Sequence, residues 1–318
     1  MTARPPHRWL AALPLLLPLA SCVEPRDAAA ALADREARLV GVVDRFHAPE
    51  SVRYDPERDV YYVSNMYLYG SEKDGNGFLV ELDAADPRRG RILAQGGRDG
   101  VTLHAPKGLA ITGDTLWTAD IDVLRGFHRV TGEPLATIDF SAHHPTLLND
   151  VAVAPDGTLR VTDTGVVLSR FGVIADTTGD RVFRVGPAGA IAELPAGDPY
   201  PKPNGITWDA RNRRWLVVTF DPFHSRLYAL DDRTGARTPL AEGHGRWDGV
   251  EVLADGRLLV TSWSDSSVHL LDGTDDRRII RHRGQPADLG IDTRRNLILL
   301  PVADFDRVEL WTIPGRGR

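Results

Sequence analysis

The sequence predicts an all-β fold, a six-bladed β-propeller with four-stranded antiparallel blades around a central channel. Three observations predict it. A turn-like anchor recurs six times, as PES at Glu50, PKG at Lys107, LND at Asn149, PNG at Asn204, WDG at Asp248 and PAD at Asp288. Successive anchors stand 57, 42, 55, 44 and 40 residues apart, a period that suits four strands per blade. A short apolar hairpin follows each anchor, while long amphipathic helical patterns are absent from the body of the chain. A β-sandwich or an open solenoid would leave unexplained why an acidic or amide residue returns at the same point of the repeat.

The hairpins run in order from Val52 (VRYDPERDVYYVSN), Leu109 (LAITGDTLWTAD), Val151 (VAVAPDGTLRVTD), Ile206 (ITWDARNRRWLVVTFD), Val250 (VEVLADGRLLVTSW) and Leu289 (LGIDTRRNLILLPVAD). In the third, Val151 and Val153 alternate with smaller neighbours, Asp156-Gly157 makes the turn, and Leu159 and Val161 alternate again. Period-two alternation of this kind marks half-buried antiparallel strands. The segments between hairpins, such as FLVELDAADPRRGRIL from Phe78 and RLYALDDRTGARTPL from Arg226, carry their own Asp-rich turns and supply outer strands.

The N-terminus reads as an export signal over residues 1–21, with Arg4 and Arg8 before the apolar stretch Trp9 to Leu19. Leu19-Ala20-Ser21-Cys22 resembles the bacterial lipobox, and Cys22 is the one cysteine of the chain. These features predict lipidation at Cys22, a tether over 22–38, a propeller over 39–318, and a location at a bacterial cell envelope, facing the periplasm or the cell exterior. No other apolar run approaches the roughly 18 residues needed to cross a bilayer, so the expected membrane contact is the lipid anchor alone. The formal charge of −6 argues against a nucleic-acid partner, whose backbone requires concentrated positive charge. A monomer acting on a small molecule is the expectation.

Five of the six anchors are Asn, Asp or Glu, an all-oxygen set that a closed ring would gather around its channel. Such a set suits a divalent hard cation, calcium first, with magnesium or manganese as alternatives, and disfavours zinc or copper. Two carboxylates facing one another in a narrow channel would raise a pKa unless a cation neutralised them. The bland reading is that these side chains only cap inner strands through turn hydrogen bonds.

With the motifs APES, LNDVAVAPDGTLRVTD, KPNGITWD and WDGVEVLADGRLLVTS in view, the chain resembles the senescence marker protein, gluconolactonase and luciferin-regenerating enzyme family of six-bladed propellers. The resemblance implies that Glu50, Asn204 and Asp248 are metal ligands, that Asn149 faces the metal or the substrate, and that Asp248 also takes a proton as general base. Asp150 is expected to brace the loop. Sugar-lactone members carry an Arg two residues before the Asn149 position; here Leu147 stands there. The family's usual PEGP is also replaced, by Pro49-Glu50-Ser51-Val52, a change expected to bear on loop shape. Lys107, His104 and Asp288 complete the expected substrate-binding group. The paraoxonase-like lactonases, which the architecture also resembles, use histidine as base, and His143, His144 and His244 lie near the Asn149 and Asp248 turns.

The expected function is divalent-metal-dependent hydrolysis of a lactone or related ester by a lipid-anchored protein. The alternatives are a non-catalytic ligand- or partner-binding propeller lipoprotein with a structural metal, and a lyase or synthase on a similar propeller. Neither GxSxG nor HExxH occurs, so serine hydrolase and zinc protease chemistry have no support.

Overall fold

The computed structural model describes Met1 and residues 36–169, 174–177, 180–194 and 201–316. Cys22, the export signal and most of the tether lie outside the described residues. Among the described residues no helix is long and apolar enough to cross a membrane.

Six four-stranded antiparallel sheets form the ring. The inner strands are Pro49–Asp55, Pro106–Thr112, Leu148–Val153, Pro203–Asp209, Trp247–Val252 and Gly290–Asp292. Each pairs with the next strand of its hairpin, and the outer strands follow in sequence order. The sixth blade departs from this plan. Its outermost strand is Leu39–Asp44, which pairs with Arg307–Thr312 and so joins the start of the fold to its end. The third blade carries an added two-stranded sheet, Val166–Leu168 with Ile174–Asp176, between its second and third strands.

The core lies between blades. In the second strand of the fourth blade, Arg214–Thr219, Trp215 and Val217 join a cluster with Val182 and Leu194 of the third blade, whereas Leu216 and Val218 join Trp247, Val250 and Val260 of the fifth. Successive side chains point to opposite faces. A strand sandwiched between two blades is therefore apolar on both faces, and WLVV reads as a continuous run. Tyr61 and Tyr62 divide in the same way between the sixth-blade and second-blade clusters.

The anchors gain their special geometry from bulges. In each of the first five blades the ladder between inner and second strand slips at the anchor, between Pro49 and Val52, Pro106 and Leu109, Leu148 and Val151, Pro203 and Ile206, and Trp247 and Val250. A bulge re-aims a side chain, here toward the axis. The backbone N–H groups freed by the bulge find hydroxyls on the second strand: Ser51 N donates to Ser64 Oγ, Asp150 N to Thr162 Oγ1 and Gly249 N to Thr261 Oγ1.

Glycine follows the anchor where neighbouring blades touch most closely. A Cβ on Gly205 would stand 2.2 Å from the Asp248 carbonyl oxygen, and one on Gly249 would stand 2.8 Å from the Asp288 Cα. Only a residue without Cβ permits that approach. The PNG and WDG motifs thus record blade packing as well as anchor chemistry.

Candidate metal and substrate site

One cavity on the channel axis is lined by Glu50, Lys107, Asn149, Asn204 and Asp248, from five successive blades. All five are buried. Glu50 Oε2 and the Oδ1 atoms of Asn149, Asn204 and Asp248 have no hydrogen-bond partner. Buried polar atoms are nearly always paired, so four unpaired oxygens around one cavity call for a shared partner. All four are acceptors, and two belong to carboxylates, a donor set that would fit a hard cation. The cavity volume is about 20 Å³, enough for one water-sized or ion-sized occupant. Among the described residues no three His, Cys, Asp or Glu side chains group as a metal site. The oxygen set here reaches four only with its two amides.

Charge is concentrated at this point. Burial holds the Glu50 carboxyl well above the ordinary glutamate pKa, the negative charges of Asp248 and Asp288 add to the rise, and Lys107 opposes it. Burial and Asp288 push Asp248 up to about 8. Repulsion between carboxylates facing a narrow channel is thus realised. Lys107 is shifted the other way: burial lowers its pKa, and Glu50, Asp120 and Asp248 counteract that loss. Its ammonium donates to the Ala105 carbonyl at 3.2 Å.

Below the cavity, Arg53 ties the ring together. Its guanidinium donates to Glu251 Oε1 at 2.6 Å, to Asp288 Oδ2 at 3.0 Å and to the carbonyls of Leu109 and Leu289. Asp150 lies 3.7 Å from the same guanidinium. The Asp150 carboxylate also accepts the N–H groups of Ile206 and Val151, which braces the third blade against the fourth. The sequence reading did not anticipate Arg53. Its signal, an arginine on an inner strand three residues after Glu50, has no counterpart at the other anchors.

The expected substrate-binding residues divide. Lys107 and Asn149 line the cavity. His104 does not; its Nδ1 accepts the Gly75 N–H, and its own backbone N–H is held by Asp120. Asp288 is buried on the axis, where its Oδ2 accepts from Ser51 and Arg53, and it is not among the residues lining the cavity. No histidine lines the cavity among the described residues: His244 is exposed and His143 packs against Phe183. Ser51, the departure at the first anchor, uses its hydroxyl to reach Asp288 at 2.6 Å.

A family model described as SMP-30/Gluconolactonase/LRE-like region matches residues 48–283. The chain belongs to this family. Among solved structures, a gluconolactonase from Xanthomonas campestris is similar at 18% identity and a TM-score of 0.66, over 90% of this chain and 93% of that one. A luciferin-regenerating enzyme is similar at 11% identity and a TM-score of 0.64, covering 89% and 96%. A streptogramin B lyase shares the fold at 10% identity and a TM-score of 0.58, covering 87% and 98%. No curated protein matches the chain in sequence. At such identities the structural likeness establishes the propeller, and the chemistry of this member of the SMP-30/gluconolactonase family must be argued from its own residues.

Proposed function

We propose that this member of the SMP-30/gluconolactonase family is a divalent-metal-dependent hydrolase of a lactone or related ester. The observation that carries the reading is the set of four unpaired buried oxygens, from Glu50, Asn149, Asn204 and Asp248, around one cavity. Membership in a family that includes gluconolactonases supports it.

Those four residues would hold the cation, with calcium favoured by the oxygen-only set and magnesium or manganese as alternatives. The bound cation would supply Lewis acidity toward a carbonyl oxygen. Asp248 would accept a proton from the attacking water. In the metal-free site burial and Asp288 push its pKa up to about 8, and a bound cation would displace that proton and leave the carboxylate ionised, as a base must be. Lys107, the one ammonium lining the cavity, would stabilise the negative charge that develops on the carbonyl oxygen. Asn149 would hold the substrate carbonyl in line with it.

The N-terminal sequence supports lipidation at Cys22 and a place at the cell envelope; the proposed substrate is a small molecule and the proposed state a monomer. A second reading, a non-catalytic binding propeller with a structural cation, is favoured by the small volume of the cavity, about 20 Å³, which is sized for an ion. The two readings part on one experiment: stabilisation of the full chain by calcium, magnesium or manganese, followed by turnover of lactones and aryl esters. Cation binding with no turnover would select the second reading. Loss of both in Asp248→Ala supports the hydrolase.

A further inference from the structure

We infer that the site takes a lactone or ester whose substituents are apolar, an alkyl or aryl group in place of the hydroxyls of a sugar lactone. The inference rests on the hydrolase reading and adds its substrate class. Apart from its anchors, the cavity is walled by side chains that include Leu147, Val166, Leu168, Phe220 and Trp263. Leu147, Val166 and Leu168 belong to one buried apolar cluster with Ile174 packed against it. The added two-stranded sheet of the third blade brings Val166 and Leu168 to the wall. It is fastened to the first blade, where Ser71 N donates to the Leu168 carbonyl at 2.8 Å and Leu168 N donates to Ser71 Oγ at 3.2 Å. Across the cavity, Trp263 is held edge-on by Phe220 at 5.0 Å.

The two hydroxyls of this wall are already engaged. The Tyr69 hydroxyl donates to Asp304 Oδ1 at 2.7 Å, and the Thr164 hydroxyl donates to the Pro203 carbonyl at 2.9 Å. Among the described residues the Trp263 Nε1–H of this wall has no hydrogen-bond partner. A polyhydroxylated ring would therefore surrender its water here and meet few free partners, which selects against it. A hydrocarbon substituent loses nothing on leaving water and gains burial. Leu147 reinforces this: fully buried, it adds apolar surface and no charge to the wall.

The test compares three δ-lactones with one ring size on the full chain loaded with calcium, magnesium or manganese: δ-decalactone, unsubstituted δ-valerolactone and glucono-δ-lactone. The expected result is kcat/KM at least about 100-fold higher for δ-decalactone than for glucono-δ-lactone, with δ-valerolactone between them. Equal or preferred turnover of glucono-δ-lactone would overturn the inference and leave the hydrolase reading intact. No turnover of any of the three by cation-bound protein would overturn both. In Leu168→Ser the KM for δ-decalactone is expected to rise about tenfold or more with kcat little changed, and an unchanged KM in a variant that keeps its cation response would remove Leu168 from the wall's role.

Discussion

The Ser51 hydroxyl donates to Asp288 Oδ2 at 2.6 Å, joining the first blade to the sixth where the ring closes. The backbone repeats the connection, since Asp288 N donates to the Glu50 carbonyl at 2.8 Å. Asp288 in turn is among the charges that raise Glu50 and Asp248. The substitution of serine for glycine at the first anchor thus links ring closure to the electrostatics of the cavity.

Ser51→Ala is expected to destabilise the fold by about 1.5–3 kcal/mol, the range for a buried hydrogen bond to a charged group. Arg53 remains on Asp288, which should limit the loss. Chemical denaturation of the variant beside the parent measures it. A change within about 0.5 kcal/mol, the scale of an ordinary surface substitution, would mean the contact contributes little.

The pH dependence of cation binding follows from the raised carboxyls. Asp248 is pushed up to about 8, so without a cation the folded protein keeps a proton that the unfolded chain releases near pH 4. Folded-state stability from this group is then lost as pH rises from about 4 toward 8. A cation bound to the carboxylates displaces such protons, so its affinity should climb over the same window. The thermal shift given by a fixed calcium concentration is expected to be larger at pH 8 than at pH 6. Equal shifts would count against Asp248 and Glu50 as ligands.

Lys107 opposes the raised pKa of Glu50 and of Asp248, and it would repel a cation in the same cavity. Lys107→Met removes that repulsion at similar side-chain volume. Cation affinity should tighten by about tenfold, or 1.4 kcal/mol. Turnover should fall by about 100-fold if the ammonium stabilises the developing oxyanion. Calorimetric titration and lactone kinetics read the two effects separately, and tighter binding with unchanged kcat would make Lys107 a charge partner alone.

Much of this was legible in the chain because a propeller repeats itself locally. Each anchor is followed within a few residues by its own hairpin, so period-two alternation and Asp-Gly turns locate the inner strands, and family motifs single out Glu50, Asn149, Asn204 and Asp248, which the fold brings to one cavity. What escaped the reading depends on distant partners. Leu39–Asp44 belongs to the last blade because of pairing with Arg307–Thr312, across almost the whole chain. Arg53 meets Asp288 and Glu251 through ring geometry, which local spacing does not encode. His104 stands near an anchor and Asp288 is one, yet the Gly75 N–H occupies His104 Nδ1, and Ser51 and Arg53 occupy Asp288 Oδ2, outside the cavity lining.

Gly205→Ala tests the reading of the PNG motif as a packing device. The new Cβ would fall 2.2 Å from the Asp248 carbonyl, so the fourth and fifth blades must separate. An overpacking cost of about 1–3 kcal/mol is expected, together with weakened cation response because Asn204 and Asp248 no longer keep their spacing. Unchanged stability and unchanged cation response would show that the two blades tolerate the displacement.

Cys22→Ala tests the anchor. The parent is expected in the membrane fraction of a bacterial host and the variant in the soluble or secreted fraction. Equal partition of both would remove lipidation from the account.

The most direct measurement is titration of the full chain with calcium, magnesium and manganese, followed by thermal denaturation, beside Asp248→Ala and Glu50→Gln. A ligand that prefers the native state adds about 2.7 kcal/mol at one hundred times its Kd. At least one cation should raise the parent's melting temperature in a saturable way, reversed by chelator, and leave both variants unmoved. A parent indifferent to all three cations at millimolar concentration, or variants that respond as the parent does, would contradict a shared cation between the oxygens of Glu50, Asn149, Asn204 and Asp248.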